Sequence, residues 1–301
     1  MESEDTTLLE VRKVTVERPS GLGERRIGLR RVSMTLRTGE IFVLAGETGS
    51  GKSLLARLIV GAAGPQVKVL GGTILFEGRD LLRMKNRDLR QVRSGAISMV
   101  TGDAVGQLNP ERSVRQWLRD CLRLVRRPGG PLHEKEWADY FYSVGIVEPE
   151  HLLSIPMGEL SPMQAKRLLV MKAIISQSRL LICEEATSGL DRIAETQFIE
   201  LLSQVREEFG LSILMTLGSL RGVERFADQV AVFYEGGILE SGAARALLAS
   251  PRFAYTREFR ACDPRLTDLP RELPTISREA VKEAEESIHE ASSSLDGTVT
   301  A

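Results

Sequence analysis

Apolar and polar residues alternate from Leu8 to Val16, and the alternation stops at Pro19–Gly23. That pattern predicts a half-buried strand running into a turn. A second such stretch, Ile27–Leu36, ends at the turn pair Thr38-Gly39. An unbroken apolar run, Ile41-Phe-Val-Leu-Ala45, comes next and has the composition of a strand buried on both faces of a parallel sheet. Helical spacing resumes over Leu54–Val60. From about residue 78 to 150 the spacing stays helical and charge-rich, as in Arg83–Arg93 and Val114–Arg126, with a loop at Arg127-Pro-Gly-Gly-Pro131. Beyond residue 160 helix and apolar strand alternate: Arg167–Ser176, Leu180–Cys183, Ala194–Phe209, Ser212–Leu217, Gln229–Phe233. The order is that of an α/β chain with a parallel sheet and a mostly helical insert. The segment after residue 266 turns acidic and polar. Val281, Ala284, Ile288 and Ala291 offer one weak helical face there, and the composition predicts a disordered tail.

Composition narrows the function classes. A net charge of −1 over 301 residues gives no global basic field, so nucleic acid is not an expected partner. Cys121, Cys183 and Cys262 match no metal-ligand spacing and are odd in number. The start Met-Glu-Ser-Glu-Asp5 carries no basic-then-apolar leader, and a cytoplasmic protein is expected. The longest apolar runs fall short of the ~20 residues that cross a bilayer, so any service to a membrane goes through a partner. Trp117 and Trp137 read as packing residues, and Arg119, Arg123, Arg126 and Arg127 as a solvated helix face.

Two stretches carry chemistry. Between the buried strand and the helix stands Gly46-Glu-Thr-Gly-Ser-Gly-Lys-Ser53, the pattern of a phosphate-binding loop. Glycines let backbone N–H groups curl around a β-phosphate, and the helix start favours an anion. Lys52 then reaches the β- and γ-phosphates, and the Ser53 hydroxyl ligates Mg²⁺. Further on, the apolar strand ends in Glu184-Glu185. An acid at such a tip can hold the water shell of Mg²⁺, and its neighbour can orient an attacking water.

The succession of Gly46–Ser53, Glu159-Leu-Ser161, Glu184-Glu185 and Ala186-Thr-Ser-Gly-Leu-Asp191 resembles ATP-binding cassettes. Gly71–Leu82, Leu108-Asn-Pro110 and Ser250–Arg257 look like the oligopeptide/dipeptide permease ATPases among them. The resemblance implies a P-loop NTPase with a RecA-like parallel-sheet core, an N-terminal antiparallel β subdomain and an α-helical subdomain. It divides the chain into a disordered start (1–7), an ATP-binding domain (8–248, its helical part about 84–178), a permease-type C-terminal element (249–266) and the acidic tail (267–301). The implied cofactors are ATP and Mg²⁺. Gly46, Glu47, Thr48, Gly49, Ser50, Gly51, Lys52 and Ser53 hold the nucleotide, with Arg18 at the base and Ser161 toward a partner's phosphate. Ser53 and Glu184 serve the metal, and Glu185 is the candidate base. The implied partners are a second cassette paired head-to-tail, two transmembrane permease subunits and, indirectly, a solute-binding protein, on the inner face of the cell membrane.

Against that pattern the chain departs at five places. Arg18 stands where an aromatic would stack on adenine, and Glu184 where an aspartate is expected. Gly102 takes the position of the Q-loop glutamine, and Gln107 can replace it only if the loop is re-routed. The signature reads Leu160-Ser-Pro-Met-Gln164, with Ser161 predicted as an N-cap and Pro162 at the first helical position. Gly218 takes the place of the switch histidine, and the three histidines lie elsewhere, at 133, 151 and 289. Asp191, at the D-loop position, reads equally as a helix cap. The expectation is a subunit that binds Mg-ATP, hydrolyses it weakly or not at all in its own site, and pairs with a more complete cassette to drive a peptide-type importer. A non-hydrolysing ATP-sensing module is the alternative from another class. A small-molecule kinase is disfavoured, because Ser188–Asp191 and Glu159–Ser161 have no role in one.

Overall fold

The alternation at the start of the chain builds β1 (Thr7–Pro19) and β2 (Arg25–Arg37), which pair antiparallel. Leu9, Val11, Val14 and Val16 are buried on one side of β1, and Leu29, Val32 and Leu36 are buried on β2. In the computed structural model residues 6–19, 24–124, 137–262 and 275–293 are described. Of the start expected to be disordered, 1–7, residues 1–5 lie outside them and Thr7 already opens β1, while the loop at 127–131 and the ends of the tail also lie outside.

The all-apolar run becomes β3 (Ile41–Gly46), buried at every position. It leads into α1 (Lys52–Ile59). Next come β4 (Lys68–Phe76), β5 (Arg79–Asp80) and α2 (Asn86–Gly95). The stretch read as mostly helical also holds a strand, β6 (Ile97–Thr101), with Ile97 and Val100 buried. Then follow α3 (Val114–Leu124), α4 (Trp137–Ser143), α5 (Pro149–Ser154), α6 (Pro162–Ile175), β7 (Leu180–Glu184), α7 (Arg192–Phe209) and β8 (Ser212–Leu217). The chain continues through β9 (Gln229–Tyr234), β10 (Gly237–Ala243), α8 (Ala244–Ala249), α9 (Ala254–Ala261) and α10 (Arg278–Ser293).

The chain divides into two units. The first takes the described residues up to 37, residues 41–83, and those from 216 onward. It holds the antiparallel sheet β2-β1-β4-β5, together with β3 parallel to β9 and β9 antiparallel to β10. Asp228 closes the start of β3, accepting from the Ile41 N–H at 2.8 Å and donating its own N–H to the Ile41 carbonyl at 2.9 Å. The second unit takes 38–40 and 84–215 and holds β6 parallel to β7. Its core lies around α6, where Leu168, Val170, Met171 and Ala173 are buried, and around β7, buried throughout. Cys183 is fully enclosed in β7 and Cys121 is buried on α3, whereas Cys262, following α9, is half-exposed. Burial pushes the Cys121 thiol up to about 11.

The tail departs from expectation. Instead of disorder, residues 278–293 form α10, with Ala280, Ala284 and Ile288 buried one turn apart and Ala291 exposed. Ser277 anchors its start: its N–H and hydroxyl both donate to Glu258 of α9, at 2.5 and 2.9 Å, while its hydroxyl accepts from the Ala280 N–H. Polar fastening stands in for the apolar surface that the tail lacks.

Two local features bear directly on stability. The pairing of β1 is interrupted between Val11 and Val14, where Lys13 takes φ 49. Gly72 of β4 (φ 92) lies over that bulge, and a Cβ there would stand 2.6 Å from the Arg12 and Lys13 carbonyls and from the Val14 Cα. In the second unit Lys166 of α6 is fully buried and its ammonium donates to the Gly102 carbonyl at 2.9 Å and the Ser188 carbonyl at 3.4 Å. Burial lowers its pKa, and the charge of Asp103 partly opposes that.

Gly72→Ala therefore forces backbone to move at a left-handed position and is expected to cost about 3 kcal/mol, seen as a lower melting temperature in circular dichroism. Lys166 yields a pH-dependent outcome. Its folded pKa lies below the ordinary value of 10.5, so just under 10.5 the unfolded chain binds more protons and stability rises with pH. Between pH 7 and 10 the urea midpoint of the parent should thus gain on that of Lys166→Met; a constant difference would mean that the ammonium carries no burial penalty.

Candidate functional site

The phosphate-loop motif falls where its composition placed it, between β3 and α1 in the first unit. Its walls are backbone. Gly46 takes φ 154, and a Cβ there would lie 2.4 Å from the Phe233 carbonyl. Gly51, the residue capping α1, takes φ 112, and its Cβ would meet the Gly28 carbonyl at 3.0 Å and the Gly236 Cα at 3.2 Å. Such conformations and approaches admit glycine alone. The turn is braced from behind, since the Gly236 N–H donates to the Ser50 carbonyl at 2.8 Å.

Lys52 is buried within the loop it belongs to. Its ammonium donates to the carbonyls of Gly46 (2.6 Å) and Glu47 (2.8 Å) and to the Ser50 hydroxyl (3.3 Å). Those acceptors hold the cation at the loop. The donor set fits a polyphosphate: glycine-lined backbone, a helix start and a cation held in place. Ser53, in the first turn of α1, is half-buried. Glu47, Thr48 and Gly49 are exposed at the tip, and Glu47 meets Lys52 through its carbonyl.

Arg18 stands near the same loop. A Cβ on Gly28 would meet the Arg18 stem at 3.1 Å and Leu54 of α1 at 2.6 Å, so one glycine separates the two. Arg18 lies opposite Arg26 across the β1–β2 pair, and its Nε is buried without a hydrogen-bond partner. Burial first, and Arg26 second, lower its pKa.

The other candidates sit in the second unit. Glu184 ends β7 and is buried, while Glu185 follows it in a left-handed turn, φ 47. The Gly102 N–H donates to the Glu184 carbonyl at 2.9 Å. A Cβ on Gly102 would stand 2.9 Å from the Glu185 carbonyl, so the two loops touch there. The Gln107 side-chain oxygen accepts from the Thr101 N–H at 3.0 Å and clasps its own loop. Lys166, which draws the Gly102 and Ser188 carbonyls together, was missed from the sequence. A lysine on the buried face of a helix was the available signal.

Ser161 and Pro162 start α6 as expected. The Ser161 hydroxyl accepts from the Gln164 N–H at 3.2 Å, and the Gln164 side chain accepts from the Ser161 N–H at 2.9 Å. This capping box engages both polar side chains of the signature in starting the helix. Asp191 caps α7, accepting from the N–H groups of Ile193 and Ala194 at 2.9 Å each. Gly218, just past β8, is exposed and has open space where a side chain would extend.

Comparison with known proteins agrees with this reading of the fold. The family pattern described as "ABC transporter" matches residues 29–188, more than half of the chain. The chain is 34% identical to the peptidoglycan transport ATP-binding protein YejF of Agrobacterium fabrum over 88% of its own length and 48% of that protein's. It thus spans about half of that relative. It is 31% identical to the dipeptide transport ATP-binding protein DppD of Bacillus subtilis, covering 79% of this chain and 71% of that one. Among solved structures, cbiO1 of Clostridium perfringens, described as part of the ABC transporter complex cbiONQ, aligns with a TM-score of 0.66 at 25% identity, covering 81% of this chain and 92% of that one. No helix among the described residues is long and apolar enough to cross a membrane. With a glycine-walled phosphate loop, a matching fold and relatives at this level of identity, the chain belongs to the ABC transporter family and is related to peptide-transport ATP-binding proteins.

Proposed function

We propose that this chain binds Mg-ATP on Gly46–Ser53 and serves as the nucleotide-holding cassette of a peptide-type transporter, paired with a second, more complete cassette and docked on two membrane subunits. The observation that carries the reading is the loop itself: a cation buried among glycine backbone at a helix start. Lys52 and the loop amides take the phosphates and Ser53 takes the metal. Of the acids in the second unit, Glu184 is assigned to the metal's water shell and Glu185 to orienting water. Bound Mg-ATP supplies the phosphoryl chemistry, and the chain's own part is to hold it.

Weak turnover follows from the same residues. Gly102 and Gly218 lack the glutamine and histidine side chains, and Pro162 has no N–H to offer a partner's phosphate. Each missing transition-state contact is worth on the order of 10²–10³ in rate, by analogy with removed oxyanion donors. The capping box on Ser161 and Gln164 favours a second reading, an ATP-sensing module that does not hydrolyse. Membrane subunits that copurify with the chain would separate the first reading from the second.

Mg-ATP is expected to bind the purified chain, and Lys52→Ala to weaken it about 10- to 100-fold in an equilibrium titration, the size of a lost charged hydrogen-bond partner. Turnover by the parent should stand no higher than that of Glu185→Gln; brisk hydrolysis lost in Glu185→Gln would refute the holding role. Because Gly218 faces open space, Gly218→His is expected to fold normally and raise steady-state turnover by about tenfold or more, as measured by phosphate release.

A further inference from the structure

The turn joining β9 to β10, Tyr234-Glu235-Gly236-Gly237, has the phosphate loop on one side and α10 on the other. Toward the loop, Gly236 donates to the Ser50 carbonyl, approaches Gly51, and accepts from the Arg30 N–H at 2.7 Å. Just before the turn, the Phe233 carbonyl abuts Gly46. The turn is tightly specified, with Glu235 at φ 42 and Gly236 at φ 84, and the Arg30 Nε donates to the Glu235 carbonyl at 3.1 Å. Toward α10, a Cβ on Gly237 would stand 2.6 Å from the Ile288 Cδ1, so the helix seats directly on turn backbone. The Tyr234 hydroxyl reaches Glu285 of α10 at 3.5 Å.

A second route joins the same parts through α9. The Tyr234 ring meets Tyr255 edge-on at 4.8 Å, and Tyr255 stacks on Phe259 at 5.9 Å. Glu283 of α10 accepts from the Ala254 N–H at 3.1 Å, at the start of α9. Tyr255 is 1% exposed, and its hydroxyl has no partner at hydrogen-bond geometry. Burial first, and then the Glu47 carboxylate of the phosphate loop, push its pKa up.

Nothing in the phosphate-loop motif requires α10, yet one turn bears on both. We infer that α10 is a positioning element of the nucleotide site: seated on the 234–237 turn, it holds Gly46–Ser53 in the binding shape, so that docking of α10 and binding of a nucleoside triphosphate strengthen each other. The inference rests on the nucleotide reading above. Its two states are α10 docked and α10 released. Among the described side chains of α10, docking buries only Ala280, Ala284 and Ile288 in full, which places the helix among the least stable parts of a fold and within reach of a ligand's bias. Linkage requires the effect to run both ways.

The test uses the full chain with Mg-ATP as ligand. Ile288→Asp puts a charge against turn backbone and releases α10. It is expected to weaken Mg-ATP binding about tenfold, within the usual 5- to 150-fold span of such couplings. In the parent, Mg-ATP should slow hydrogen exchange over residues 278–293 by a similar factor, and Lys52→Ala should abolish that protection. The exchange experiment needs no variant in α10, so it decides the matter even if Ile288→Asp fails to fold. Binding that depends on Lys52 but leaves exchange in 278–293 unchanged would overturn the coupling alone. A parent that binds no Mg-ATP would overturn both the coupling and the nucleotide reading.

Discussion

The phosphate loop is shaped by the closeness of backbone to backbone. At Gly46 and Gly51 the neighbouring chain, from Phe233 and from Gly28 and Gly236, comes nearer than any side chain allows. Those approaches leave the loop's own carbonyls turned toward one another, and Lys52 gathers them. The order of dependence is from packing to charge: the ammonium stays buried because the glycines let the backbone wrap it. β3, β9 and the turn after β9 are the rigid parts against which that wrapping takes place.

The positions at which the sequence was expected to depart from the cassette pattern differ in what surrounds them. Gly102 is hemmed in by the Glu185 carbonyl and Ser188, and Lys166 holds the contact from beneath. Gly218 is open. A side chain would be crowded at the first position and unobstructed at the second. At Leu160–Gln164 the polar side chains of Ser161 and Gln164 are both taken up in capping the helix.

What the sequence made legible follows from how local each signal is. The β3 run, the phosphate loop, the Ser161 cap with Pro162 at the first helical position, and the Asp191 cap all depend on a few adjacent residues, and each is found in place. β6 escaped because it is five residues long, does not alternate and lies inside a long charged helical region. α10 escaped because it buries alanines and one isoleucine and is fastened by Ser277 and Glu258, a pairing 19 residues apart that no periodicity reports. Lys166 escaped although its place on the buried face of α6 is visible, because the two carbonyls that satisfy it lie 64 and 22 residues away in the chain.

The burial of the cysteines has a practical side. Cys183 is sealed inside β7 and Cys121 lies on the buried face of α3, so neither presents a thiolate to a reagent in solution. Cys262 remains, half-exposed, where α9 ends. A maleimide dye added to the unaltered chain would therefore mark that one position and report on the C-terminal helices without any engineering of the sequence.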